Sequence, residues 1–336
     1  MTQKILITGG TGFIGSHTVL EILKEGHELH LLIRDIKKAQ RIFGQPDNLY
    51  YHKGDILDTE SLESAARGCS SLIHCAAMVT LNLKQEEQMH RVNEEGTENI
   101  VSLVKKCGIK KVLFVSSCVT RFHPQQKQMT PESPLQEGFT PYACSKSRGE
   151  QMILSLRDEE IKVFVTYPSS VIGPDDPGLS EANNALIYMM NYAVPICSGG
   201  FQFIDVRDLA VIHRRLMREE AVPGLYMTGG HFFTWSEMHP LVQKLCSRRI
   251  LRIRIPGFVL RGVGRVVSFF QKRIGFTFHL TYEGALYMTR WNILDDSKTL
   301  KALNFTFRPA EQTLKETASW LTENNYIHMK NSPLEQ

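Results

Sequence analysis

Lys4-Ile5-Leu6-Ile7-Thr8-Gly9-Gly10-Thr11-Gly12-Phe13-Ile14-Gly15 opens the chain almost at its first residue. A β-favouring run enters glycines spaced G-x-G-x-x-G, with Gly9 adding G-x-x-G-x-x-G, and apolar residues at helical spacing continue to Lys24. Strand, glycine turn and helix in that order are what a pyrophosphate needs. One glycine makes the tight turn, another admits the phosphate to the backbone, and Gly15 lets helix and strand pack closely. A helix beginning near Gly12 aims its unpaired N–H groups at the anion. Gly9, Thr11, Gly12, Phe13, Ile14 and Gly15 are therefore the candidate phosphate loop of a dinucleotide site.

The neighbouring strands refine the ligand. Glu28–Ile33 reads as the second strand and is followed by Arg34, with Lys37 and Lys38 nearby. A basic residue there suits the 2′-phosphate of NADP(H), whereas an acid would hold the ribose hydroxyl of NAD(H). Asp35 keeps NAD(H) open, although capping the next helix is an equally natural use of it. NADP(H) is the favoured cofactor. Gly54-Asp55-Ile56 closes the third strand, Leu49–Lys53, so Asp55 is placed to accept from an adenine amino group and Ile56 to pack on the ring.

Further strands are predicted at Ser71–His74, Lys111–Ser116, Ile161–Thr166, Phe201–Asp205 and Leu225–Thr228. Helices are predicted at Ile36–Phe43, Ser61–Arg67, Gln85–Cys107, Thr140–Arg157 and Val206–Arg218. Short, continuously apolar strands alternating with helices indicate an α/β protein whose parallel sheet is covered on both faces. Beyond Gly229 the chain reads as mainly helical and more basic. The expected division is 1–230 for the dinucleotide-binding domain, with loop 168–200 contributing to the substrate pocket, and 231–330 for a smaller substrate domain.

Composition narrows the function classes. A net charge of +4 over 336 residues is too mild to argue for nucleic acid. Seven cysteines without a C-x-x-C pair read as reduced, mostly buried thiols, and no histidine spacing suggests a metal. No apolar run reaches the roughly 18 residues of a membrane span, and no secretory signal opens the chain. The expected location is the cytoplasm, the expected partner a small-molecule substrate, and a homodimer is left open. Phe258, Val259, Leu260, Val263, Val266, Val267, Phe269 and Phe270 interleave with Arg261, Arg265, Lys272 and Arg273. Such a helix can lie on a membrane surface; packing against the sheet domain is the favoured expectation.

Tyr142 and Lys146 lie four apart and share a helix face. An ammonium beside a phenol is expected to lower the tyrosine pKa, so that Tyr142 can move a proton to or from a carbonyl oxygen. With Gly9–Gly15, Gly54-Asp55, His74-Cys75-Ala76-Ala77, Val92-Asn93, Val115-Ser116-Ser117, Pro168-Ser169-Ser170 and Phe203-Ile204-Asp205-Val206-x-Asp208, the chain resembles the extended short-chain dehydrogenase/reductase family. These motifs stand in the family's order over about the first 210 residues.

The resemblance implies a doubly wound parallel Rossmann sheet with a smaller, mostly helical C-terminal substrate domain. It implies that Lys146 holds the nicotinamide ribose beside Tyr142, that Ser117 binds the substrate oxygen, and that Ser116 lies nearer the nicotinamide. Pro168, Ser169 and Ser170 would line the same end; Ala76 and Ala77 would let the backbone approach the cofactor, and Asn93 would fix the backbone beside it. The family's nucleotide-sugar enzymes usually carry an Asn where Ser169 stands and an Arg before the Phe203–Asp208 motif, where this chain reads Gly200-Phe201-Gln202. Tyr167-Pro168-Ser169-Ser170-Val171 looks more like the dihydroflavonol-reductase-like branch, which acts on apolar, often cyclic substrates. The expected activity is thus NADP-dependent carbonyl reduction or alcohol oxidation, with an NAD-dependent nucleotide-sugar epimerase or dehydratase as the alternative. Met78, Val79, Thr80 and the stretch Ala185–Tyr192 are expected to line an apolar pocket.

Overall fold

A computed structural model describes residues 2–80, 85–138, 140–246, 248–274 and 281–327. Seven strands form the main sheet: β1 (Lys4–Thr8), β2 (Glu28–Ile33), β3 (Leu49–Lys53), β4 (Ser71–His74), β5 (Lys111–Val115), β6 (Lys162–Pro168) and β7 (Gly224–Thr228). Their order is 7-6-5-4-1-2-3 and every neighbouring pair is parallel. The strands are apolar throughout because both faces are covered. Leu6, Leu72, Val112, Phe114, Val163 and Val165 enter one core. Their sequence neighbours Ile5, Ile7, Ile73, Leu113 and Phe164 enter the other, as the period of two dictates.

Chain order reverses between β1 and β4, which places a crevice at their carboxyl ends. Phe201–Asp205, expected as a strand, extends over Gly200–Asp205 and lies outside the main sheet. It pairs with Ser170–Ile172 and His231–Thr234 in a small sheet over a third core. The C-terminal region beyond it is chiefly helical, with helices at Trp235–Leu245, Gly257–Ile274, Tyr282–Arg290, Ser297–Leu303 and Ala310–Glu323.

Two departures from expectation have local causes. The predicted Gln85–Cys107 helix is broken: Glu86–His90 and Gly96–Cys107 are α-helical, and Arg91–Glu95 between them is a π turn. The wider turn seats the buried Asn93 inward. The Gly257–Ile274 helix does not rest its apolar side on the sheet domain. It packs on the Tyr282–Arg290 helix and leaves Phe258, Val263, Val266 and Phe269 exposed. The cysteines are all free, but Cys69 and Cys118 alone are fully buried and Cys107 is exposed.

Two histidines are sealed between the layers. His74 Nδ1 lies 2.6 Å from Thr8 Oγ1 and its Nε2 3.3 Å from Thr97 Oγ1. His213 bridges Thr18 and Thr166 at 2.8 and 3.1 Å. Burial pushes both imidazoles down to about 3. The unfolded chain binds protons at these rings below about pH 6.5, while the folded one does not until about pH 3. Their contribution is therefore complete above pH 6.5 and lost as pH falls, by up to about 1.4 kcal/mol per unit for each ring. Glu283 and Asp296, raised by burial to about 7, act with the opposite sign over the same window. The test is accordingly a difference. Urea midpoints should show the stability gap between wild type and His213→Asn shrinking by about that slope from pH 6.5 to 5; a constant gap contradicts the assignment.

Candidate active site

The glycine loop has the geometry its spacing predicts. Gly9 has φ +71°, and a Cβ there would lie 2.4 Å from the Ala76 nitrogen at the end of β4. A Cβ on Gly15 would lie 2.1 Å from the Gly9 oxygen, so only glycine lets the Phe13–Leu23 helix start against the loop. Gly12 caps that helix with no side-chain hydrogen bond, so its first-turn N–H groups are not bound by a capping side chain. A cradle that any Cβ would fill, facing an uncapped helix N-terminus, fits a dinucleotide pyrophosphate. Thr11, Phe13 and Ile14 are half-buried around it.

Arg34 is exposed at the end of β2, without an ion-pair partner among the described residues. Asp35 caps the next helix by accepting from the Lys38 nitrogen at 3.0 Å. Asp55 accepts from the Leu57 nitrogen at 3.0 Å. Ile56 is in the core, where its Cδ1 would lie 2.5 Å from a Cβ on Gly96. Asn93 accepts from the Met78 nitrogen at 2.7 Å and donates to the Met78 oxygen at 3.0 Å, fixing the backbone just after Ala76 and Ala77. Ser169 donates to the Gly229 oxygen at 2.6 Å, which ties the Pro168–Ser170 turn to the end of β7.

The Pro141–Leu154 helix begins with Thr140 as cap, accepting from the Ala143 nitrogen at 3.1 Å, and Pro141 in its first turn. These fix the entry to Tyr142, whose phenol lies beside Ser117 at the end of β5. Lys146 is buried; its Nζ donates to the Val115 oxygen at 2.8 Å and stands 4.5 Å from the centre of the Phe114 ring. Desolvation lowers the Lys146 amine to about 8, opposed by the charge of Glu150. The expected depression of the Tyr142 pKa does not follow. Burial raises the phenol to about 12, opposed by the neighbouring Ser117 hydroxyl, and the ammonium, turned to the Val115 carbonyl, does not offset it. Tyr142 is thus held as the neutral phenol.

Glu150, one further turn along, is the residue the sequence reading passed over, although its i+4 spacing from Lys146 announces it. It is fully buried. Its carboxylate accepts from Ser116 Oγ at 2.7 Å, Thr120 Oγ1 at 2.9 Å and the Tyr167 hydroxyl at 2.6 Å, and pairs with the buried Arg121 guanidinium. Ser116 therefore points its hydroxyl inward to Glu150, not toward the crevice. Glu283 was also missed. It accepts from Thr140 Oγ1 at 3.1 Å and from the Tyr287 hydroxyl. The Tyr287 ring meets Phe122 edge-on at 4.7 Å, with Trp291 beyond it at 6.0 Å, forming an aromatic wall beside Cys118 and Tyr142.

Of the expected pocket segment, Leu186, Met189 and Met190 belong to the third core and Tyr192 faces outward, because the Glu181–Asn191 helix turns its apolar side to the small sheet. The later motif is a structural bracket. Asp205 holds Arg207 at 2.6 Å and Thr313 at 2.9 Å, Asp208 takes the Arg308 backbone N–H at 2.8 Å, and Arg207 also pairs with Glu316. Gln202 is buried and accepts from Trp291 Nε1 at 2.9 Å and the Leu294 nitrogen at 3.0 Å. No group of three or more His, Cys, Asp or Glu side chains among the described residues could hold a metal.

Sheet order and glycine cradle are those of an NAD(P)-dependent enzyme of the extended short-chain dehydrogenase/reductase type. The chain belongs to the NAD dependent epimerase/dehydratase family, whose model matches residues 5–229. It is 29% identical over 217 residues to a Synechocystis protein named "Putative dihydroflavonol 4-reductase", the match covering 63% of this chain and 62% of that protein. It is 22% identical over 334 residues to sterol demethylase protein B of Methylococcus capsulatus, covering 96% and 99%. With UDP-glucose 4-epimerase of Bacillus subtilis it shares 32% over 218 residues, 57% of this chain and 61% of that one. Among solved structures, gox2253 superposes with a TM-score of 0.82 at 23% identity over 97% and 100% of the two chains. The Bordetella bronchiseptica enzyme WbmG in complex with NAD does so at 0.75 and 18%, over 99% and 98%.

Proposed function

We propose that the protein is an NADP-dependent oxidoreductase that reduces a carbonyl, or oxidises the corresponding secondary alcohol, on an apolar and cyclic substrate. The observation that carries this reading is the neutral Tyr142 phenol, half-buried beside the Ser117 hydroxyl at the mouth of the crevice. A carbonyl oxygen between these two hydroxyls gains two donors where negative charge develops on reduction. A bound reduced dinucleotide supplies the hydride. Tyr142 gives its proton to the oxygen, Ser117 orients that oxygen, and the Lys146 cation, once turned from the Val115 oxygen, stabilises the phenolate left behind. In the reverse direction the same groups take the alcohol proton.

The substrate class follows from what is committed elsewhere. A desolvated diphosphate needs charged partners, yet Arg207 is held by Asp205 and Glu316, and Gln202 by Trp291 and Leu294. The half-buried Tyr287 and Trp291 rings instead offer a largely apolar wall, with Phe122 behind them in the core. The names of the Synechocystis and Methylococcus relatives are in keeping with a polycyclic substrate. NADP is favoured because Arg34 is open to solvent while Asp35 is engaged at the helix cap. Residues 1–230 would carry the cofactor, and 231–330 would shape the substrate side.

The experiment is a turnover screen of cyclic ketones and of UDP-glucose, each with NADPH and NADH. Ketone reduction with NADPH preferred is expected. Conversion of UDP-glucose without net cofactor consumption would establish the epimerase alternative instead.

A further inference from the structure

We propose that the face formed by the Gly257–Ile274 helix and the Leu251–Arg254 strand leading into it docks the enzyme on the surface of an anionic lipid bilayer. Val259, Val263, Val266 and Phe270 recur every three or four residues, with Phe258 and Phe269 beside them, so they share one side of the helix. That side faces out: Phe258 is 70% and Val266 57% exposed. The preceding strand adds Leu251, 63% exposed.

The opposite side is already used. Leu260 is buried, and a Cβ on Gly264 would lie 2.8 Å from the Thr281 oxygen, so the helix is pressed against the start of the Tyr282–Arg290 helix. Ser268 Oγ accepts from the Tyr282 nitrogen at 3.0 Å, and Arg261 donates to Thr289 Oγ1 at 2.9 Å. The seating is specific, and it turns the apolar stripe away from the protein.

Charge decides the occupant. From Cys246 through Tyr282 the sequence holds eight Lys and Arg residues and no Asp or Glu, so with a total of +4 the rest of the chain is net −4. Arg252 and Arg254 are exposed on the strand, and Arg265 and Arg273 on the helix. Two copies meeting through this face would bring arginines together without a counter-charge. An anionic leaflet instead accepts the apolar stripe into its acyl boundary and the arginines among its headgroups. No helix among the described residues is long and apolar enough to cross a membrane, so the contact is interfacial.

The position suits an enzyme with an apolar substrate. The Tyr282–Arg290 helix lies against both this face's helix and the candidate active site. Glu283 and Tyr287 on it reach Thr140 and Phe122. Lipid docking itself does not depend on the reaction, and the test reads binding without turnover.

The full chain is floated with vesicles of phosphatidylcholine alone and of phosphatidylcholine with phosphatidylglycerol, at low and high salt. Co-flotation with the anionic vesicles is expected, weakened on neutral ones and by salt. Phe269→Glu/Phe270→Glu should abolish it, and Arg252→Gln or Arg254→Gln should weaken it roughly fivefold each. Circular dichroism and dinucleotide binding should match wild type in every variant. Absence of folded wild-type protein from anionic vesicles overturns the proposal. So does undiminished flotation of the double-glutamate variant, or a dimer in sedimentation that this variant dissociates while wild type ignores lipid.

Discussion

Tyr142→Phe is expected to lower turnover by about 10²- to 10⁴-fold while dinucleotide affinity stays within a small factor of wild type. The substitution removes one oxygen from a half-buried ring and leaves the fold's larger commitments untouched. Lys146 keeps its bond to the Val115 oxygen, Ser117 still accepts from the Val119 nitrogen, and the glycine loop follows β1, two strands from β5. What is lost is the proton. The phenol, raised to about 12 by burial, is protonated at neutral pH, and a phenyl ring has no proton to give. Steady-state rates with NADPH and fluorescence titration of the dinucleotide separate the two effects. Retained turnover contradicts the role given to Tyr142; lost binding with lost turnover would make the phenol a cofactor anchor instead.

Glu150→Ala is expected to cost about 3–5 kcal/mol of stability, the penalty for leaving a buried charge unpaired. Arg121 is 5% exposed, and its guanidinium would keep only the Ser133 oxygen at 2.8 Å and the Tyr167 hydroxyl at 2.8 Å. Ser116 and Thr120 would lose their acceptor as well. Chemical denaturation should show the loss as a lower midpoint with an unchanged slope. An Arg121→Met/Glu150→Leu double variant, which removes both charges and keeps the volume, should recover most of it. A single variant as stable as wild type would show that Arg121 finds other partners. Glu150 also opposes the depression of Lys146, so its loss should move the alkaline limb of the activity profile to lower pH.

The parts of this molecule that sequence made legible are those set by local periodicity. β1, its glycine turn and the following helix are contiguous, and the alternation of short apolar strands with helices fixes a covered parallel sheet. Tyr142 and Lys146 are readable as partners because 3.6 residues per turn brings them to one face. The same rule reaches Glu150, but a carboxylate on a helix is ordinarily a solvated side chain. Only the arrival of Arg121 and Tyr167 from distant segments shows that this one is buried.

Direction is the other quantity that local pattern leaves open. Ser116 and Ser117 are adjacent, and strand alternation sends one inward to Glu150 and the other to Tyr142. The Gly257–Ile274 helix announces an apolar face, but which way that face looks is decided by where Gly264 lets it meet the Tyr282–Arg290 helix. The pairing of Ala193–Ile196 with Leu251–Arg254 joins short segments far apart in the chain, and neither carries a signal for the other. The tuning of Tyr142 likewise depends on the Lys146 rotamer, which spacing alone leaves free.

The most direct test of the reading is isotopic. NADPH carrying deuterium at the transferring position is incubated with a cyclic ketone, and the alcohol is examined by mass spectrometry and NMR. The account predicts one deuterium on the carbinol carbon of a single stereoisomer, with an equal amount of NADP formed and with Tyr142→Phe giving almost none. Alcohol without deuterium, or label retained on the dinucleotide while a nucleotide sugar is converted, would contradict it.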